Sequence, residues 1–172
     1  MKKLILQFGL LSGLVIVVYS LAVFLIFGNI AQLSPKEFQM VEVLGFLRYV
    51  ILLLTIFLAV RAYRKQDYSR AGWWPAARTG IFVALVVAVL VGLMEFAYIL
   101  ANPGFYEQYG EIYLTRMTSE GASATEIAAA KEQMEAYAFM ANPVVSGVFY
   151  FFETTLVGTV AAMIIAIFMR KK

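Results

Sequence analysis

The sequence predicts an all-α polytopic membrane protein, with four transmembrane helices and an outer amphipathic helical hairpin between the third and the fourth. Its composition is the first reason. Of 172 residues, 62% are hydrophobic and 15% are charged, whereas about a quarter are charged in an average soluble domain. A globule of this size could not hide so much apolar surface from water, so we expect lipid to cover the excess.

The second reason is that the apolar residues fall in four long segments of a single membrane domain, 1–172. The expected spans are residues 4–27, 43–60, 81–100 and 144–169. Crossing the hydrocarbon takes about 20 helical residues, and apolar segments without alternating polarity cross lipid as helices rather than as barrel strands. A cleaved secretory signal is the rival interpretation of the first span. Its apolar run is too long for that role, and residues 28–31 are a poor cleavage site.

Capping signals predict where the flanking helices begin. Ser34-Pro35-Lys36-Glu37 combines an N-cap, a proline in the first turn and an acid at the third position, so we expect a helix to start at Pro35 and run into span two. Residues 101–142 are too long for a structureless connection and predict two helices. We expect the first to begin at Asn102-Pro103 and to end at Gly121.

The second helix of this hairpin is predicted to begin at the capping box Ser123-Ala124-Thr125-Glu126 and to continue, with Met134 and Tyr137 in its apolar repeat, up to Asn142-Pro143. The first carries an aromatic stripe with Phe105, Tyr109, Ile112 and Tyr113 on one face. Two interpretations stay open. The stripe packs on the outer ends of the spans or rests at the lipid headgroups, or the hairpin is a surface that binds another membrane or envelope protein.

The cations predict the orientation, because positive loops resist translocation. Ten of the 14 Lys and Arg residues lie on one side of the predicted spans: Lys2, Lys3, Arg61, Arg64, Lys65, Arg70, Arg78, Arg170, Lys171 and Lys172. Residues 101–142 carry a net charge of −4 on the other side. Both termini are therefore expected in the cytoplasm. Trp73 and Trp74 precede span three and are interpreted as interface anchors rather than as a ligand site.

Small residues at four-residue spacing predict close helix packing, either within the chain or between copies. The expected packing positions are Gly9 and Gly13 in span one, Gly80, Ala84, Ala88 and Gly92 in span three, and Gly158, Ala162 and Ala166 in span four.

Three ionisable residues lie inside the predicted spans, where each is costly unless paired or hydrated. Arg48, Glu95 and Glu153 all fall in the outer half of the bilayer, which predicts one intramembrane polar layer with a cation and two carboxylates. Arg48 shares its helix face with Gly45, Thr55 and Ala59, which we interpret as a contact face. Spacing leaves open whether Arg48 pairs with Glu95 or with Glu153.

The composition also restricts the chemistry. The chain has no His and no Cys, which removes disulfides, thiolate nucleophiles and imidazole chemistry. We find no nucleophile motif, phosphate loop or metal-ligand pattern in the sequence. We therefore predict no catalytic residue, no cofactor, no metal and no enzyme activity, and the low charge excludes a nucleic-acid-binding module. The expected partners are the lipid bilayer and a membrane-protein partner or a homo-oligomer.

Several short motifs together resemble a known family. They include Gly9-Leu10-Leu11-Ser12-Gly13, the basic loop after span two, Asn102-Pro103-Gly104-Phe105, Tyr109, Met117, Gly121-Ala122-Ser123, Glu126-Ile127, Asn142-Pro143, Glu153 and a Lys-ended span four. The chain is similar to the small four-helix bacterial membrane proteins of domain-of-unknown-function family four-one-nine-nine. The resemblance covers almost the whole chain and implies a multi-pass protein of the bacterial inner membrane. It supplies no activity, substrate or catalytic residue.

Two functional hypotheses follow. In the first, the protein is a non-enzymatic membrane scaffold or accessory subunit that presents its outer hairpin and small-residue stripes to partners. In the second, it is a small ion or proton transporter or a channel component that uses Arg48, Glu95 and Glu153. The absence of a detectable internal repeat weighs against an independent transporter, since many such folds use repeated halves.

Overall fold

A computed structural model describes residues 1–27, 33–66 and 72–169, and this part of the chain is almost entirely helical. The α-helices are α1 (Lys2–Phe27), α2 (Pro35–Gln66), α3 (Trp73–Ala101), α4 (Phe105–Ser119), α5 (Ala124–Ala136) and α6 (Pro143–Phe168), and a short 3-10 helix (Ala138–Ala141) leads into the last. Residues 28–31, Arg70 and the basic residues Arg170, Lys171 and Lys172 lie outside the described ranges, so the expectations that involve them are not addressed by this fold.

Four of the helices, α1, α2, α3 and α6, are long and apolar enough to cross a membrane. This confirms an all-α fold, with four apolar helices that are compatible with a membrane protein. Their outer surfaces support the same conclusion, because large apolar side chains stay uncovered on each of them. Leu11 is 67% exposed, Phe46 67%, Leu93 59% and Leu156 67%. Exposed apolar surface on this scale is unfavourable in water and suits contact with lipid chains.

Local chemistry sets three helix starts, and the first two, at Pro35 and after Ser123, are as predicted. α2 begins at Pro35, and the Ser34 hydroxyl and amide donate to the Glu37 carboxylate at 2.6 and 2.9 Å. α5 begins after a complete capping box, in which Ser123 accepts from the Glu126 amide and donates to its carboxylate. α6 begins at Pro143, with the Asn142 side chain capping the first turn.

The prediction that Asn102-Pro103 begins α4 is wrong. α3 continues to Ala101, and Asn102 closes its carboxyl end, where the backbone and side-chain N–H groups donate to the Tyr98 carbonyl at 2.9 and 2.8 Å. The chain then turns at Gly104, whose φ of +90° favours glycine, and α4 starts at Phe105. The prediction for α5 is too long, because the helix ends at Ala136 and Tyr137 is 48% exposed rather than packed.

The most extensive contact between long helices joins α3 to α6, which run antiparallel. A methyl group added at Gly158 would lie 2.4 Å from the Ala84 Cβ, and one at Gly80 would lie 2.8 Å from the Ala162 Cβ. Farther along the pair, a Cβ at Gly92 would lie 2.7 Å from the carbonyl oxygen of Gly147. Ala88 and Ala166 are fully buried in the same region. Without side chains in the way, the two backbones approach closely, which is how helices associate in lipid.

α1 packs on α3 through its own pair of glycines. A Cβ at Gly9 would meet the Val86 side chain at 2.6 Å, and one at Gly13 would meet the Leu90 side chain at 2.4 Å. From Gly9 to Gly13 the contacted residue of α3 moves from Val86 to Leu90, so α1 and α3 run parallel. All nine small residues expected at packing positions are buried within this chain.

α4 rests on the first turns of α2 through its aromatic stripe. Ile112 of α4 packs on Phe38, which is fully buried, and Phe105, Tyr109 and Tyr113 surround the pair. α4 also contacts α5, where Gly110 faces Met134. This packing favours the first interpretation of the stripe. It covers the end of the long helices and leaves the acidic side chains of α4 exposed.

Candidate functional site

One guanidinium joins three of the long helices at the predicted intramembrane layer. Arg48 of α2 lies 3.5 Å from a carboxylate oxygen of Glu95 on α3 and 3.4 Å from one of Glu153 on α6. Sequence spacing left its partner open between the two carboxylates, and the guanidinium contacts both. The three charged residues that the sequence placed at one depth therefore meet at one point, and we call them, with Tyr49 and Tyr150, the Arg48 cluster.

Two tyrosines complete the Arg48 cluster. The Arg48 guanidinium donates to the Tyr49 hydroxyl at 2.7 Å, and that hydroxyl donates in turn to the Glu153 carboxylate. The same guanidinium lies over the ring of Tyr150, with 4.8 Å between its central carbon and the ring centre. Cation–π contact and hydrogen bonding both stabilise a cation held away from water.

The two carboxylates differ in their access to the surroundings. The Glu95 side chain is 9% exposed, whereas that of Glu153 is 30% exposed and that of Arg48 is 20% exposed. With both carboxylates ionised, the cluster carries one more negative than positive charge. An excess charge in a region of low dielectric constant is costly unless hydrogen bonds or water offset it. Of the two carboxylates, the more exposed Glu153 has better access to water and to further hydrogen bonds.

A hydrogen bond between Tyr106 and Ser146 lies between the Arg48 cluster and α4. The hydroxyl of Tyr106, in the first turn of α4, lies 3.1 Å from the hydroxyl of Ser146, which is fully buried on α6 one turn before Tyr150. Burial raises the pKa of Tyr106, so this phenol stays protonated and keeps its hydrogen-bonding capacity at neutral pH. α4 is therefore linked by a polar contact to the helix that carries Glu153.

A separate ion pair joins α4 to α2 outside the layer of the Arg48 cluster. Arg116 of α4 pairs with Glu42 and lies over the ring of Phe38, and the Tyr109 hydroxyl donates to the same carboxylate at 3.0 Å. Burial, reinforced by the Glu42 charge, raises the pKa of Tyr109. The hydrogen bond to Glu42 raises the pKa of Arg116. The Glu42 carboxylate thus pairs with one cation of α4 and accepts a hydrogen bond from one of its tyrosines, and both contacts hold α4 against the end of α2.

The remaining predicted residues lie away from the Arg48 cluster. Trp73 and Trp74 lie at the opposite end of α3, 38% and 52% exposed, with their rings 5.7 Å apart in an edge-on arrangement. Gly45 does not lie on a contact face as its spacing suggested, because nothing would come within 4 Å of a Cβ there. Thr55 and Ala59 do face the interior, Thr55 by donating to the Ser12 hydroxyl at 2.9 Å.

The sequence reasoning missed Tyr49 and Tyr150 of the Arg48 cluster, and it also missed Tyr106, which bonds to Ser146 nearby. Tyr49 and Tyr150 had a usable signal, since a tyrosine next to or one turn from an intramembrane charge is a ready hydrogen-bond or cation–π partner. Gly147 was missed as a packing position as well. Its signal was the 11-residue separation from Gly158, which puts the two on the same face of a helix.

The chemistry available to the Arg48 cluster is ion pairing and proton exchange. Two described cavities are apolar grooves, one lined by α2 and α6 and one by α1, and neither is lined by Arg48, Glu95 or Glu153. Within residues 1–27, 33–66 and 72–169, no group of three acidic side chains lies close enough together to hold a metal ion.

Comparison with known proteins gives one match. A family model described as "Protein of unknown function (DUF4199)" matches residues 7–171, so the resemblance seen in the sequence motifs is confirmed. No curated protein and no solved structure matches the chain.

Proposed function

Since this chain belongs to the DUF4199 family, whose description states no function, we propose from its own residues that it is a non-enzymatic scaffold or accessory subunit of a membrane complex. The observation that carries the proposal is the Arg48 cluster. The intramembrane cation contacts both carboxylates, Tyr49 and Tyr150, as expected of an ion-pair network that fixes the arrangement of α2, α3 and α6.

The proposed topology has four spans, with α4 and α5 forming a helical hairpin on the outer side and both termini in the cytoplasm of a bacterial inner membrane. The distribution of cations supports it, because five described cations lie at the end of the long helices opposite α4: Lys2, Arg61, Arg64, Lys65 and Arg78.

Single-cysteine variants test this topology, because the chain has no other Cys that could react. Ala128→Cys on the exposed face of α5 should react with a membrane-impermeant maleimide in intact spheroplasts. Lys3→Cys should react only after lysis, and the reverse pattern would overturn the topology.

The partner surface in this proposal is the exposed acidic face of α4 and α5, formed by Glu107, Glu111, Glu132 and Glu135. None of these four appears among the ion pairs of the described chain, and the aromatic face of α4 is already used against α2. A partner with a basic surface matches this face by charge. Purification in mild detergent at low salt should give a complex whose mass exceeds one chain, and high salt should dissociate it. A lone monomer under all conditions would overturn the scaffold proposal.

The excess carboxylate in the Arg48 cluster favours a second candidate function, the handling of protons or cations. Two carboxylates face one guanidinium, and Glu153 is the more exposed, so Glu153 is the group that would exchange a proton. This candidate predicts a flux across vesicles containing the protein, which Glu153→Gln reduces while Glu111→Gln, on the exposed face of α4, leaves it unchanged. No flux in the parent protein, or equal flux in both variants, would exclude it.

A further inference from the structure

An open groove runs along the seam between α2 and α6, in the half of the protein away from α4. Leu53 of α2 and six residues of α6 line it, and its volume is about 440 Å³. The α6 residues are Leu156, Val157, Val160, Ala161, Ile164 and Ile165. They form two rows at four-residue spacing, so the groove follows the helix axis. Every lining side chain is hydrocarbon, and several remain uncovered, including Leu53 at 41% and Ile164 at 49%.

The groove has the length of one leaflet, and the polar Arg48 cluster lies beyond one of its ends. From Leu156 to Ile165 a helix rises about 14 Å at 1.5 Å per residue, close to half of the roughly 30 Å of hydrocarbon in a bilayer. Tyr49 and Glu153 of the Arg48 cluster lie about one turn beyond Leu53 and Leu156 and are hydrogen-bonded to each other. An apolar chain that follows the groove is therefore in contact with hydrocarbon side chains up to this end, where it would meet polar groups instead.

The other end of the groove is basic. Arg64 lies three turns after Leu53 on the same face of α2, and its guanidinium donates to the carbonyls of Met169 and Ala166, the latter at 2.9 Å. This contact ties the end of α2 to the end of α6. Arg61 and Lys65 flank Arg64 and are exposed. An occupant of the groove thus meets hydrocarbon along its length and two solvent-accessible cations where it emerges.

We propose that this groove binds one acyl chain of an anionic phospholipid, with the lipid phosphate held by Arg61 and Lys65. Charge complementarity selects the anionic headgroup, because basic sites next to transmembrane helices attract such lipids. The groove's length and the polar groups beyond one end favour a chain from the leaflet on the Arg64 side. Its occupant is a lipid rather than a second copy of this chain, because a spanning helix laid on the seam would extend beyond the apolar groove onto the polar Tyr49 and Glu153, whereas a single acyl chain matches the apolar length.

Native mass spectrometry tests the proposal on the full chain, reconstituted in nanodiscs of equal parts phosphatidylglycerol and phosphatidylcholine. The parent protein should retain phosphatidylglycerol in preference to phosphatidylcholine. Arg61→Gln/Lys65→Gln should weaken that preference by roughly 25-fold, since each cation near a lipid surface contributes about a fivefold change. Lys2→Gln/Arg78→Gln removes two cations at the same end of the protein but away from the groove, and it should keep the preference.

A second pair of variants tests the groove itself. Val160→Trp fills it from a position that is 44% exposed, so the fold has room for the larger side chain. It should lose most of the retained lipid. Val148→Trp changes a residue of α6 that is 49% exposed outside the groove and should behave like the parent. Three outcomes overturn the proposal: an unchanged preference in Arg61→Gln/Lys65→Gln, equal lipid retention in the two tryptophan variants, or a dimer that Val160→Trp abolishes.

Discussion

Replacing Arg48 by methionine isolates the role of the Arg48 cluster. Methionine is apolar and flexible enough to fill the space of the arginine stem, so the main change is the loss of the charge. Glu95 then keeps its carboxylate in a site where its side chain is 9% exposed, and it loses the guanidinium that lies 3.5 Å away. Glu153 is less affected, because it is 30% exposed and still accepts from the Tyr49 hydroxyl.

The expected loss of stability follows from that geometry. At 3.5 Å the direct attraction is about 5 kcal/mol for an effective dielectric constant of 20, and desolvation of the two groups offsets most of it in the parent protein. Removing one partner of a buried pair leaves the desolvation uncompensated and costs about 3–5 kcal/mol. Glu95 can limit the cost by taking up a proton, which for an ordinary glutamate costs about 4 kcal/mol at pH 7. We therefore expect Arg48→Met to lower the free energy of unfolding by about 3–4 kcal/mol.

The diagnostic comparison is with the double variant Arg48→Met/Glu95→Gln. Because this variant has no Glu95 charge left buried without a partner, its free energy of unfolding should be about 2 kcal/mol higher than that of Arg48→Met, although it differs more from the parent. Glu153→Gln alone should cost less than about 1 kcal/mol, since the pair it breaks is partly exposed. Equilibrium unfolding in mixed micelles, followed by far-ultraviolet circular dichroism, measures all four free energies. A double variant no more stable than Arg48→Met would refute the reasoning, because Glu95 would then not depend on Arg48 for its charge.

Two further predictions concern the packing of the helices and the attachment of α4. Gly158→Ala places a Cβ 2.4 Å from the Ala84 Cβ and should destabilise the protein by about 1–3 kcal/mol. Gly45→Ala, in open space on a helix, should stabilise it by about 0.5–1 kcal/mol. If both substitutions changed the free energy of unfolding in the same direction, the α3–α6 contact would be contradicted. Because burial and Glu42 raise the pKa of Tyr109, the attachment of α4 should be intact below pH 10 and weaken as the pH rises through that raised value. Limited proteolysis between α4 and α5 should therefore accelerate at alkaline pH in the parent, and the persistence of that step in Tyr109→Phe would count against this role.

Elements set by local chemistry could be predicted from the sequence. Pro35 begins α2 and Ser123 caps α5 because the groups that bond to each other lie within one turn of chain. Asn102-Pro103 has the same letters as Asn142-Pro143 and a different role. Asn142 caps the start of α6, whereas Asn102 closes α3, and the difference arises at Gly104, whose positive φ lets the chain turn before α4 begins.

The arrangement of the charges could be predicted only in part. Counting residues gave a common depth for Arg48, Glu95 and Glu153, because the rise of a helix is fixed. It could not give the order of the helices around Arg48, so both carboxylates stayed possible partners, and both are used. The same limit applies to Gly45. Its spacing from Arg48 is that of a contact residue, yet the arrangement of the neighbouring helices leaves it uncovered.

The most direct measurement of whether this protein acts by binding a partner is photo-crosslinking in native membranes. A benzoylphenylalanine placed at Glu111, on the exposed acidic face of α4, should give a discrete protein adduct whose yield falls with added salt and with Glu107→Lys. The same probe at Val148, on the apolar surface of α6, should give no adduct of that mass. An adduct of equal yield at both sites, or none at Glu111, would contradict a scaffold that presents the acidic face of α4 and α5 to its partner.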